Sequence, residues 1–155
     1  MSAPTDAATR DLADELRLRF HGPLGQELPQ LRFMAQKVAQ VHGPVHPPAV
    51  ELGSLVRTLA DGTEAWLDRE SREILPWLSS GEKKQVPVTR QELLDGQDKR
   101  KELVSRIRVL TESYQPWEGA CGTVARLFAG LQKLDHTLAD YAKVEASTVA
   151  AHMAG

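Results

Sequence analysis

Apolar residues recur three and four positions apart through most of this 155-residue chain, and that spacing admits helices and little else. Positions so spaced share one helical face, and each resulting stripe has to be covered by another element. The first stripe runs through Leu12, Leu16, Phe20, Leu24, Leu28, Leu31, Ala35 and Val38, and predicts a helix over 6–42 that ends in HGPVHPP. Gly22, Pro23 and Pro29 interrupt it, so a kink or broken turn is expected there. Pro47 and Pro48 suit a first helical turn, and a second helix is expected over 48–79 through Leu52, Leu55, Leu59 and Trp66. Gly81 and the run EKKQVPV read as a polar loop. Thr89 and Glu92 then form a capping-box pattern, in which each side chain satisfies a free backbone N–H, and start a third helix over 89–113. A fourth, over 118–151, carries Val124, Leu127, Phe128, Leu131, Leu134, Leu138 and Val144. Four amphipathic helices with short links pack best as an all-α, antiparallel up-down four-helix bundle, expected to form one domain over 1–155.

Composition narrows the functional classes. The net charge is −2 with 26% charged residues, so no basic surface invites nucleic acid or an anionic membrane. One cysteine excludes an internal disulfide and any CxxC pair. The opening MSAPTDAATRDLADE lacks the basic and apolar regions of a secretion signal, and no stretch approaches the roughly 20 apolar residues of a membrane span. These features predict a cytoplasmic protein with no nucleic-acid or membrane partner.

Several motifs, taken in order, carry a resemblance. The run FHGPLGQELPQLRFMAQKVAQVHGPVHP from Phe20 to Pro47 is similar to the opening helix of the hemerythrin-like domain in the repair-of-iron-centres (RIC) group, bacterial di-iron proteins linked to repair after nitrosative stress. EILPWL at Glu73 to Leu78, IRVLT at Ile107 to Thr111, and GAC at Gly119 to Cys121 followed by LFAGLQKL continue the likeness in the same order. The resemblance implies a hemerythrin-like bundle and a metal site at its centre. Carried over position by position, the first-helix histidine is His21, and the His-x-x-x-Glu pair of the second helix falls on Trp66 and Glu70. The third-helix histidine falls on Gln97, and the last His-x-x-x-Glu pair on Tyr141 and Glu145. One histidine and two carboxylates of the implied ligand set remain.

The lost side chains decide the expected chemistry. Tryptophan offers no lone pair to a metal, glutamine is a weak neutral donor, and tyrosine binds iron well only as phenolate. A dinuclear centre is therefore not expected; His21, Glu70 and Glu145 are the residual candidates for a single ion. Lys101, one turn beyond Gln97 where the family commonly has glycine, is expected to point inward. Its ammonium would replace the metal by pairing with one or both of Glu70 and Glu145, with Gln97 and Tyr141 completing a hydrogen-bonded network and Trp66 filling vacated space. The competing reading is that DKRKE is a solvated face. No cofactor is expected on this basis, with iron as the alternative.

Other residues carry less. His42 and His46 are read as part of a helix-ending turn, His136 and His152 as surface residues, and Cys121, near the start of the fourth helix, as a small buried thiol, the alternative being a thiol whose pKa the helix dipole lowers. No phosphate loop or Ser/His/Asp arrangement is present, and Glu70 and Glu145 read as network members rather than catalysts. Three functions follow as expectations. The first is a non-catalytic protein that binds a small ligand or a protein partner. The second is a residual iron-binding protein of nitric-oxide or oxidative stress response or iron–sulfur repair. The third is an enzyme using a recruited metal-free pocket.

Overall fold

The computed structural model describes residues 6–80 and 86–153. Most of the polar run expected after Gly81 lies outside the described residues. Four helical arms form the antiparallel bundle: α1 (Asp6–Leu16) with α2 (Gly22–His42), α3 (Pro48–Arg69) with α4 (Leu75–Ser79), α5 (Arg90–Leu110), and α6 (Gly122–Glu145). Helix α2 packs along α3, α1 against α4, α3 against α5, and α2 against α6. The apolar stripes meet in one core that includes Leu24, Leu28, Leu59, Leu93, Ile107, Leu127 and Leu134, each at most 2% exposed. Burying a side chain of this size is worth about 1.5–3 kcal/mol. Among the described residues no helix is long and apolar enough to cross a membrane.

The first arm does not break at its prolines. Pro29 lies inside α2, and at Pro23 the chain instead widens into a π-helical turn over Arg17–His21, in which the Gly22 N–H reaches the Arg17 carbonyl five residues back. The second arm repeats the device: a π turn over Glu70–Ile74, closed by Leu75 N–H on the Glu70 carbonyl, precedes Pro76. A proline ring clashes with the carbonyl four residues earlier and supplies no N–H. Those carbonyls, of Arg19 and Arg72, fall within the widened turns. A third π turn, Ala146–Ala150, follows α6.

Turn chemistry sets the remaining ends. Gly43 links α2 to α3 where a Cβ would stand 2.4 Å from the Ala39 carbonyl oxygen, so the chain passes too closely for a side chain. Thr89 caps α5 as expected, its Oγ1 accepting from Glu92 N at 3.1 Å. Helix α5 stops at Leu110, short of the expected 113, because Glu112, Ser113 and Tyr114 all take left-handed backbone angles of 50–66°. Such angles are costly for non-glycine residues. Thr111 Oγ1 accepts from Tyr114 N, and the Tyr114 hydroxyl donates to Asp135, which also holds Arg108, so the turn is anchored to α6. The fourth helix begins at Gly122, later than the expected 118, since Gly119 has a positive φ of 82°.

Candidate metal centre

Both widened turns carry a polar residue into the middle of the bundle. His21 ends the first and Glu70 begins the second, while Glu145 immediately precedes the third. Widened turns of this kind recur at functional sites because they redirect side chains that a regular helix would space evenly. Glu70 and Glu145 are both 0% exposed, and Tyr141, one turn before Glu145 on α6, is 1% exposed.

Around Glu70, His21 Nε2 lies 2.7 Å from Oε1, and the Tyr141 hydroxyl donates to the same oxygen. Glu70 Oε2 is buried and takes no N–H donor, and the Glu145 carboxyl lies within hydrogen-bond reach of Glu70. Phe20 closes one side, packing edge-on against Tyr141 with ring centroids 5.1 Å apart. Burial, opposed by the Glu145 charge and reinforced by Arg17, lowers the His21 pKa, so the imidazole is neutral with a lone pair to offer. Burial first, then the charges of Glu145 and Glu70, raises the Tyr141 pKa well above its ordinary value, and the phenol keeps its proton.

Glu145 has different company. Trp66 Nε1 donates to Oε2 at 2.9 Å, and Gln97 Nε2 donates to Oε1 at 2.8 Å while also reaching the Ala142 carbonyl at 3.2 Å. The Arg100 guanidinium stands 3.8 Å from Oε1 and 5.8 Å from the Trp66 ring centroid. Burial and then the neighbouring Glu70 carboxyl push the Glu145 pKa well above the carboxylate range, with Gln97 and Trp66 pulling the other way. Trp66 therefore does more than occupy space: its indole N–H holds an oxygen.

The structure thus gathers His21, Trp66, Glu70, Gln97, Tyr141 and Glu145 and leaves out Lys101. Lys101 is exposed, and the cation beside Glu145 is its neighbour Arg100, only 9% exposed. Both i+3 and i+4 positions follow Gln97 on one face, and the i+3 residue turns inward. A guanidinium suits that place, since its planar fork and weak hydration tolerate burial against an aromatic ring better than an ammonium does. The clue in the sequence was two adjacent cations in DKRKE, which spacing alone does not separate. Cys121 also departs from expectation: it is exposed at the start of α6, 3.2 Å from His42 Nε2. Backbone N–H groups of α6 and His42 bring its pKa down to about 7. His152, read as a surface residue, is half-buried and meets the Thr148 carbonyl.

A groove of about 370 Å³ between α5 and α6 is lined by Gln97, Arg100 and Lys101 among others, and opens the outer edge of the Glu145 network to solvent. Trp66 and Tyr141 do not line it.

These features define a helical-bundle protein with a buried carboxylate, imidazole and phenol cluster at its centre. No protein-family model matches the chain. It is 26% identical over 132 residues to the iron–sulfur cluster repair protein DnrN of Neisseria gonorrhoeae, covering 85% of this chain and 83% of that one. It is 31% identical to the iron–sulfur cluster repair protein ScdA of Staphylococcus haemolyticus, over 86% of this chain and 62% of that one. With the iron–sulfur cluster repair protein YtfE of Edwardsiella ictaluri the identity is 30%, over 82% of this chain and 58% of that one. The chain is a relative of the RIC proteins, and it spans about three-fifths of the length of the ScdA and YtfE relatives.

This kinship corrects the expectation of a protein without a cofactor. Relatives named for iron–sulfur cluster repair point to iron rather than to none. Tested against this site, two ions do not fit. Both Glu145 oxygens already accept N–H donors, Trp66 has no lone pair, and a fixed positive charge stands beside them. Among the described residues no group of three or more His, Cys, Asp and Glu side chains could hold a metal ion. On the other side His21 Nε2 and the Tyr141 hydroxyl converge on Glu70, so one imidazole and one carboxylate are the donors a single ion would find there.

Proposed function

We propose that this chain serves iron–sulfur cluster repair under nitrosative or oxidative stress in the cytoplasm, as an iron-binding bundle whose partner is a protein carrying a damaged cluster. The observation that carries the reading is the fully buried Glu70 with His21 Nε2 2.7 Å away, at the centre of a chain similar to iron–sulfur cluster repair proteins. Two carboxyl groups buried side by side are costly to ionise, and a cation beside them offsets that cost. Iron bound there supplies a Lewis-acidic, redox-active centre. The chain's own residues do the rest. His21 offers a neutral nitrogen, Glu70 offers charge, and Phe20 with the surrounding leucines keeps bulk water away.

The test is recovery of a nitric-oxide-damaged [4Fe–4S] enzyme in cells lacking the gene, with and without the chain restored. The reading expects faster recovery of that enzyme's activity with the chain, and equal rates contradict it.

A further inference from the structure

We propose that the groove between α5 and α6 binds a small organic carboxylate, with its head on Arg100 and its apolar body along Val104 and Leu138. The site uses neither His21 nor Glu70, so it stands apart from the repair reading. Arg100 carries the inference. The residue is only 9% exposed, its Nη2 has no hydrogen-bond partner, and the carboxylate oxygen it faces, Glu145 Oε1, is 3.8 Å away and already accepts from Gln97. A guanidinium carries five N–H donors and keeps its charge, so a buried one short of acceptors is costly. The same side chain lines the groove, where an anion arriving from solvent supplies what the interior does not.

The surroundings select the charge and shape of the ligand. Lys101 and Lys143 line the same groove, are both exposed, and have no ion-pair partner among the described residues. Arg108 and Asp135, also at the groove, hold each other and leave Asp98 as the acid opposing Arg100, Lys101 and Lys143. On a chain of net charge −2, this positive groove is a local arrangement rather than a by-product of composition. The planar fork of an arginine matches a carboxylate through paired N–H bonds. Below it, buried Val104 and Leu138 together with Ala139 give an apolar wall that sulfate or phosphate would leave unused. The volume of about 370 Å³ is at the small end of ligand sites, which fits a carboxylate with a short chain.

Titration of the full chain with sodium hexanoate at constant ionic strength, followed by proton–nitrogen NMR spectra that include the arginine side-chain N–H groups, tests this. One hexanoate per chain is expected, with shifts concentrated on the groove residues within 97–108 and 135–143. Hexanoate should bind about tenfold or more tighter than acetate, because its added methylenes cover Val104 and Leu138. Hexanamide, which keeps the chain and lacks the charge, should not bind. Arg100→Met should weaken hexanoate binding about tenfold or more, whereas Lys133→Met, at a residue outside the groove that pairs with Glu27, should leave it unchanged. Because Arg100 is buried, a second variant guards against misfolding: Ala139→Trp, at an exposed position, fills the groove without touching a charge and should remove binding. The proposal is overturned by no saturable binding, by equal binding of hexanamide, or by phosphate bound as tightly as hexanoate. Binding that survives both Arg100→Met and Ala139→Trp in chains with native circular dichroism overturns it as well.

Discussion

Two glutamates, equally buried and on arms that meet at the bundle centre, are satisfied in opposite ways. Glu145 takes a full set of organic partners, with two N–H donors and a guanidinium, and leaves nothing for a metal to do. Glu70 takes an imidazole that can turn from donor to ligand, a phenol, and the neighbouring Glu145 carboxyl. The two carboxylates therefore differ in what their neighbours could offer a metal. What decides the outcome at each carboxylate is whether its neighbours offer hydrogens alone or lone pairs as well.

The contrast can be broken by mutation. The largest stability effect is expected at Glu145→Ala, read by denaturant unfolding, because it strands the buried Trp66 and Gln97 donors together, each at a cost of about 1–3 kcal/mol. Iron stoichiometry should be unchanged in the folded fraction. Arg100→Met should cost about 1–3 kcal/mol, whereas Lys101→Met should stay within about 0.5 kcal/mol, as for an exposed position. Equal effects at these two adjacent residues would place the inward cation wrongly.

Acid sharpens the comparison from the other side. The folded-state pKa of His21 lies below its unfolded value of 6.5, so the unfolded chain binds a proton that the folded chain refuses. That contribution destabilises as pH falls below about 6.5. Glu145, with its pKa raised, acts in the opposite sense, and its contribution is lost as pH rises above the unfolded carboxylate value. Thermal melts at pH 8 and pH 5 should show a smaller acid-side loss for His21→Gln than for the parent; an unchanged loss would contradict a neutral buried imidazole. The smallest effect lies outside both halves. Cys121, with a pKa of about 7, should be alkylated by iodoacetamide at a rate that rises through neutral pH, and His42→Ala should move that rise to higher pH without altering iron binding.

The sequence made the four arms legible because their apolar spacing and the Thr89 cap both have strong local causes. The π turns escaped periodicity, which assumes even spacing, although the first two are announced by a proline two residues beyond, Pro23 and Pro76. The positions of His21, Glu70, Gln97, Tyr141 and Glu145 came from the family resemblance. Their division into two unlike halves came only with geometry. Lys101 and Arg100 differ by one position in a charged run, and only the packing of α5 beside Trp66 selects the arginine. Cys121 was misplaced because the fourth helix starts later than its composition suggests, leaving the thiol at an exposed cap.

The one-sided replacement of the metal site is tested most directly by anomalous scattering at the iron edge from crystals of the iron-loaded chain. A single peak beside His21 and Glu70, with Glu145 still held by Trp66 and Gln97, is the expected result. A pair of peaks bridged by Glu70 and Glu145, or a peak on the Glu145 side alone, would contradict it.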